Sequence, residues 1–336
     1  MKKLITVLFS FQTILSAFEP RSQIDLVGGF QHGKFKQVAD FQLPNDIATI
    51  DKVTSTLDLG VFGVDGRLFF PYFDSGCYTS YLNDFYITGH AIWGWDNGNH
   101  FKEKGVTTAP TGQTLPSDFI SSEALSKGRL KRARTYDYKI GLGYLFNFDC
   151  WDWTDGWGDG WALGIEGGYA YNGQALRTKH ANTGVFAGSG SPFNIFVEND
   201  PNFAGNTYTN RWRSGWMGAE LFYSSCDWDW SFGYTHYFAS FTGLNNRTTA
   251  GLAEGYDSYK LKSNRAHGNL WNVKGIYDLG CGWNIGGLFT YEYWNARHGK
   301  ATITEGVNFL AGNVTSSKIK ASWDAYTVAA TIGYDF

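Results

Sequence analysis

The fold class predicted for this chain is all-β, a single transmembrane antiparallel barrel of about ten strands. Three observations predict it: alternation of apolar and polar residues at period two along the chain, an aromatic-rich and slightly polar composition, and a last strand that closes on phenylalanine. The 336 residues include 42 Gly, 14 Trp, 20 Tyr and 26 Phe but only 2 Met and 7 Pro. Mean hydropathy is −0.29. Aromatic girdles around a polar interior produce that mixture. No segment after the amino-terminus reaches 18 consecutive apolar residues, which excludes a helical inner-membrane protein.

The elements follow in chain order. Lys2 and Lys3 precede an apolar run from Leu4 to Leu15, and small residues stand at Ser16 and Ala17. Residues 1–17 therefore read as a signal peptide, too short to span a bilayer as a helix, and residues 18–336 as one barrel domain. Ile24, Leu26, Gly28 and Phe30 mark a first strand; Val53, Leu57, Leu59 and Val61 a second; Phe85, Ile87, Ala91, Trp93 and Trp95 a third. The fourth carries Tyr136, Tyr138, Ile140, Leu142, Tyr144 and Phe146, and the fifth Trp161, Leu163, Ile165, Tyr169 and Tyr171. Met217, Ala219, Leu221 and Tyr223 form a less regular sixth, and Trp228, Trp230, Phe232, Tyr234 and Phe238 the seventh. Trp271, Val273, Tyr277 and Leu279 belong to the eighth, and Trp283, Ile285, Phe289, Tyr291 and Tyr293 to the ninth. The tenth runs through Tyr326, Val328, Ala330, Ile332 and Tyr334 to Phe336. Tyr334 and Phe336 make the aromatic carboxy-terminus that would be read by the barrel assembly machinery. An even count places both chain ends in the periplasm. A segment from Phe193 to Val197 would raise the count to twelve if it joined the wall.

Ionisable residues test the register. If the apolar rows face lipid, then His90, Asp137, Lys139, Glu166, Glu220, Lys274 and Glu292 fall on the opposite parity, inside the barrel. Facing lipid at mid-bilayer, a charge would cost ~2–4 kcal/mol. A soluble β-sandwich also alternates, but its strands are shorter and its outer face is not so aromatic. These seven residues line the lumen, either as a weakly selective pore or as salt bridges that plug it. Strand number bears on the choice, since about eight strands leave a filled interior and 16 to 18 an aqueous channel.

Connection lengths assign the two ends, with shorter turns in the periplasm and longer loops outside. Among the outer loops, Pro116 to Leu125 reads as a short capped helix. Lys127, Arg129, Lys131, Arg132 and Arg134 follow as a basic run with three readings: contact with lipopolysaccharide phosphates, attraction of anions to the mouth, or a solvated loop base. Cys77, Cys150, Cys226 and Cys281 fall one in each periplasmic turn. They form either two internal disulfides or bridges to other envelope proteins. The nearby Trp and Asp residues read as a periplasmic aromatic belt or, secondarily, as a docking surface.

A porin-sized barrel with a terminal Phe336 and a cysteine in each periplasmic turn resembles the outer-membrane proteins of chlamydia-related bacteria, the Protochlamydia outer membrane protein (Pom) porin family. The likeness covers the mature chain in layout, size and composition. It implies a porin for passive diffusion of small solutes or ions in the outer membrane, disulfide-linked to cysteine-rich envelope proteins. The alternative is a closed structural or adhesin barrel that presents its loops. In size and topology the chain also resembles the omptin proteases, but it has no Asp-x-His, and its close aspartates Asp227 and Asp229 lie at the periplasmic end. His100, His180, His267 and His298 are scattered. No enzymatic activity is expected, nor a cofactor, and the cysteine spacing does not match a zinc motif. The formal charge of −3, which becomes −5 without Lys2 and Lys3, gives no sign of a nucleic-acid partner. Outer-membrane lipid is the expected surrounding, and self-association is left open.

Overall fold

Alternation at period two commits this chain to strands, and the strands are long. The computed structural model describes residues 22–42, 48–70, 85–96, 99–108, 121–147, 160–187, 194–200, 205–225, 228–246, 258–305, 315–316 and 318–336. The expected signal peptide at 1–17, Cys77, Cys150, Cys226, Asp227 and Phe193 lie outside the described residues. In order the strands are β1 Gln23–Gln42, β2 Ala48–Phe69, β3 Phe85–Asp96, β4 His100–Thr108, β5 Ser121–Asn147, β6 Gly160–Ala187 and β7 Asn194–Asp200. They continue as β8 Thr207–Ser225, β9 Trp228–Asn246, β10 Ser258–Gly280, β11 Trp283–Arg297, β12 Lys300–Glu305, β13 Thr315–Ser316 and β14 Lys318–Asp335.

Ten of them close a wall in the order β1-β2-β3-β5-β6-β8-β9-β10-β11-β14, with β14 returning to β1. Every pairing in the wall is antiparallel. Gln23 lies opposite Asp335, so the described chain ends share one rim. The four short strands add no stave. β4 pairs with the same neighbours as β3, and β7 pairs with β6 as β8 does. β12 pairs with β10 as β11 does, and β13 pairs with β12 just ahead of β14. Each short strand is thus a piece of its neighbour beyond a local break, and the segment that could have made twelve strands is instead the upper part of β8.

The breaks have physical causes. Between β3 and β4, Asn99 stands in for a strand residue: its side chain accepts from the Asp58 N–H at 2.9 Å and donates to the Asp58 carbonyl at 3.2 Å. Between β11 and β12 the chain turns at His298, whose φ is +60°. The expected helix at Pro116–Leu125 is not formed over its second half. Ser121 to Leu125 belong to β5 and pair with Thr108 to Lys104 of β4, because a ladder on both sides satisfies more backbone groups than one helical turn.

β6 has 28 residues, ~90 Å of contour, far more than a bilayer crossing needs. The wall therefore stands well above the membrane, and the apolar face changes sides on the way up. On β14, Ile319, Trp323 and Ala325 are buried inward, whereas Tyr326, Val328, Ile332 and Tyr334 are exposed outward. β8 does the same, with Trp212 and Trp216 inside and Met217 and Leu221 outside. Within the bilayer the solvent of the outer face is lipid; above it the solvent is water, and the apolar residues retreat to the interior. This corrects the expectation for β2: Val53, Leu57, Leu59 and Val61 are buried inside the upper barrel, and Phe62 and Val64 are its lipid-facing residues. The remaining nine rows face outward as expected.

Candidate functional site

Reading the interior from the turn rim upward gives three layers. The lowest is a small apolar cluster of Phe69, Tyr86, Leu145 and Ala162 with Phe222 against it. The uppermost is a large aromatic core in which Trp212, Trp294 and Trp323 are fully buried. Trp212 packs on Phe241 with ring centroids 4.5 Å apart, and Trp294 stacks on Tyr237 at 4.4 Å. Between them lies a charged layer around a cavity of about 70 Å³, room for a few waters and no more.

All seven residues expected inside, His90, Asp137, Lys139, Glu166, Glu220, Lys274 and Glu292, line this cavity. Four sit in ion pairs. Lys274 Nζ lies 2.5 Å from Asp25 and 2.9 Å from Asp65, Arg67 pairs with Glu220, and His90 Nε2 is 3.1 Å from Asp137. The Arg67 guanidinium also rests over the Phe222 ring, 4.4 Å from its centroid. Lys139 donates to Thr235 at 3.4 Å and stands 3.9 Å above the Trp216 ring, a cation–π contact. Glu292 joins the charged and aromatic layers: it accepts the indole N–H of Trp323 at 2.6 Å and of Trp294 at 3.0 Å, and the amide of Asn172 at 3.2 Å.

Asp25, Asp65 and Arg67 belong to the layer and were missed by the sequence reading. Their signal was parity. With β2 registered on Val53 to Val61 as its lipid face, Asp65 and Arg67 would have pointed into lipid; the change of apolar face at Val61 and Phe62 puts them inside. Six carboxylates then stand against Arg67, Lys139, Lys274 and one histidine in this layer. Asp25 Oδ1, Glu166 Oε2 and Arg67 Nε have no hydrogen-bond partner among the described residues, so water in the cavity has groups to bind.

The other expected sites are elsewhere. Lys127, Arg129, Lys131, Arg132 and Arg134 are all exposed on the outer wall of β5 and away from the lumen. They share a face because the β5/β6 register shifts around Leu130, leaving Lys131 unpaired in the ladder and resetting the alternation. Tyr334 faces outward and stacks with Phe336 at 6.3 Å. Cys281 is exposed in the two-residue turn between β10 and β11, with φ of +56°, followed by Gly282 at +79°. Among the described residues no cluster could hold a metal. An unexpected His–Asp pair, His32 Nδ1 to Asp58 Oδ1 at 2.5 Å, is exposed on the outer wall and does not face the mouth.

Comparison with known proteins agrees with this architecture. Residues 75–336 match the family described as Protochlamydia outer membrane protein, Pom. The crystal structure of the outer membrane protease OmpT from Escherichia coli superposes with a TM-score of 0.64 at 11% identity, covering 95% of this chain and 98% of that one, which shows the fold alone. A Pseudomonas aeruginosa FadL homologue, at 9% identity and 95% and 91% coverage, reaches only 0.25. The toluene transporter TodX of Pseudomonas putida, at 9% identity and 94% and 90% coverage, reaches 0.24. No curated protein matches the sequence.

Proposed function

This chain belongs to the Protochlamydia outer membrane protein family and is an outer-membrane β-barrel, and from that premise we propose that it is a stoppered barrel: a porin-type lumen closed at rest, in a protein that also serves as a linked structural part of the envelope. The observation that carries this reading is the aromatic layer, where the large side chains of Trp212, Trp294 and Trp323 are fully buried above the charged layer. Passage of small ions or solutes then requires those rings to move. An open passive porin is the second reading, supported by the polar cavity and its unpartnered carboxylate oxygens. No catalytic role is proposed: the His32–Asp58 pair is exposed on the outer wall and does not line the cavity.

The turn rim is taken to face the periplasm. There Cys281, together with Cys77, Cys150 and Cys226, is proposed to form disulfides with cysteine-rich envelope proteins, and Tyr334 and Phe336 to engage the assembly machinery. High-mass bands on a non-reducing gel that survive serine replacement of all four cysteines would remove the linkage.

Single-channel recording of the refolded protein in a planar bilayer tests the stopper. Wild type is expected to be silent and Trp212→Ala with Trp323→Ala to give discrete steps. Stable steps from wild type would replace the stoppered reading with the open porin. Silence from a folded double variant would leave only the structural role.

A further inference from the structure

Like charges directly opposite on neighbouring strands destabilise a sheet, and structures avoid them. The outer wall of this barrel does the reverse at four places. Above the upper aromatic belt, Lys102 of β4 lies opposite Lys127 of β5, and Arg132 of β5 opposite Arg177 of β6. On the far side, Lys262 of β10 lies opposite Lys300 of β12, and Arg297 of β11 opposite Lys320 of β14. All eight side chains are exposed, on the wall and not toward the mouth. The collar begins where the belt ends: Arg134 pairs with Trp95, and Arg213 with Tyr171. On β5, β6 and β8 no acidic side chain described on this face, from the belt upward, offsets it.

We propose that this cationic collar is a docking surface for the phosphates of a phosphorylated glycolipid of the lipid A class, packed around the barrel in the outer leaflet. The apolar wall below the collar buries acyl chains, and the collar stands at headgroup height. Arginine forks beside lysine ammonium groups suit a headgroup that carries two phosphates on a rigid sugar core. The expected run at Lys127 to Arg134 is one sector of the collar, and Lys262, Lys300, Arg297 and Lys320 form a second on the opposite wall. Because the side chains point sideways, the collar does not serve to draw anions into the lumen. The inference is independent of whether the lumen conducts.

The test uses the full chain refolded in neutral detergent, with fluorescent diphosphoryl lipid A as probe. Arg132→Gln with Arg177→Gln should weaken binding by roughly 30-fold, as expected for two surface cations, and should leave the barrel at least as stable as wild type in phosphatidylcholine vesicles. Arg297→Gln with Lys320→Gln, on the far wall, should do the same and serves if the first pair does not fold. Wild type itself should bind monophosphoryl lipid A more weakly and the dephosphorylated glycolipid hardly at all. Unchanged affinity in both double variants would overturn the proposal, as would indifference of wild type to the phosphates. Equal binding of phosphatidylglycerol vesicles, or full competition by inorganic phosphate, would overturn the glycolipid assignment.

Discussion

At the scale of single residues, Glu292 couples the two upper layers. It is 5% exposed and receives two indole N–H groups and an amide. Replacing it with leucine takes the acceptor from those buried donors, and each buried unsatisfied group costs ~1–3 kcal/mol. Glu292→Leu is therefore expected to lower the urea midpoint of the folded barrel, and Glu292→Gln, which keeps one acceptor oxygen, to lower it less. If both shift it equally, the indole contacts are not what the carboxylate supplies. Cys281 gives the opposite sign. It holds a left-handed conformation that costs a residue with a β-carbon ~1–2 kcal/mol and glycine almost nothing. Cys281→Gly should raise the midpoint while removing the thiol from that turn; a lower midpoint would mean the side chain makes a contact worth more than the strain. None of this detail was legible in the sequence. The parity of Glu292 was, and so was the position of Cys281 in a turn, but what a side chain touches across a closed wall depends on strands hundreds of residues apart.

At the scale of elements, period two placed all ten staves, because each crosses lipid with one aromatic row outside. It also misled in one place, and the reason is general to a wall that rises out of the membrane. Apolar residues face lipid below the boundary and the core above it, so the row Val53 to Val61 and the row Phe62 to Val64 on β2 belong to different faces of one unbroken strand. The same phase change runs through β14 at Ala325 and Tyr326, and a reading that looked for it would have recovered Asp65 and Arg67. The breaks at Asn99 and His298 left no comparable trace, since alternation resumes on either side. In β5 the phase of the basic run changes from odd to even numbers, and the unpaired Lys131 accounts for it. Deleting Lys131 should therefore be tolerated, because Leu130 and Ala133 keep their inward places once the extra residue is gone. Deleting Thr135 from the regular stretch should abolish folding, since a one-residue slip reverses every side chain on one side of the cut. The heat-dependent gel mobility of the refolded proteins reads both; equal failure would mean that the bulge does not set the face of the run.

At the scale of the whole molecule, the barrel has two chemically different ends. The loop end carries the cationic collar, while the turn end exposes Asp229 and Asp278 beside Cys281. Such an asymmetry is orientation information: cations belong with phosphate-rich glycolipid, and an exposed thiol intended for bridging belongs where partner thiols are found. Both assignments require the turn rim to face the periplasm, so one measurement places both at risk. In a variant with Cys77, Cys150 and Cys226 replaced by serine, Cys281 is the single thiol. A membrane-impermeant maleimide added to intact cells is expected to leave it unlabelled, and to label it once the outer membrane is permeabilised. Labelling in intact cells would turn the barrel over, place the collar among periplasmic headgroups that lack the glycolipid, and remove both the collar's ligand and the envelope linkage together. Labelling that appears only after permeabilisation, but is blocked until a reductant is added, would in addition identify Cys281 as already bridged to a partner.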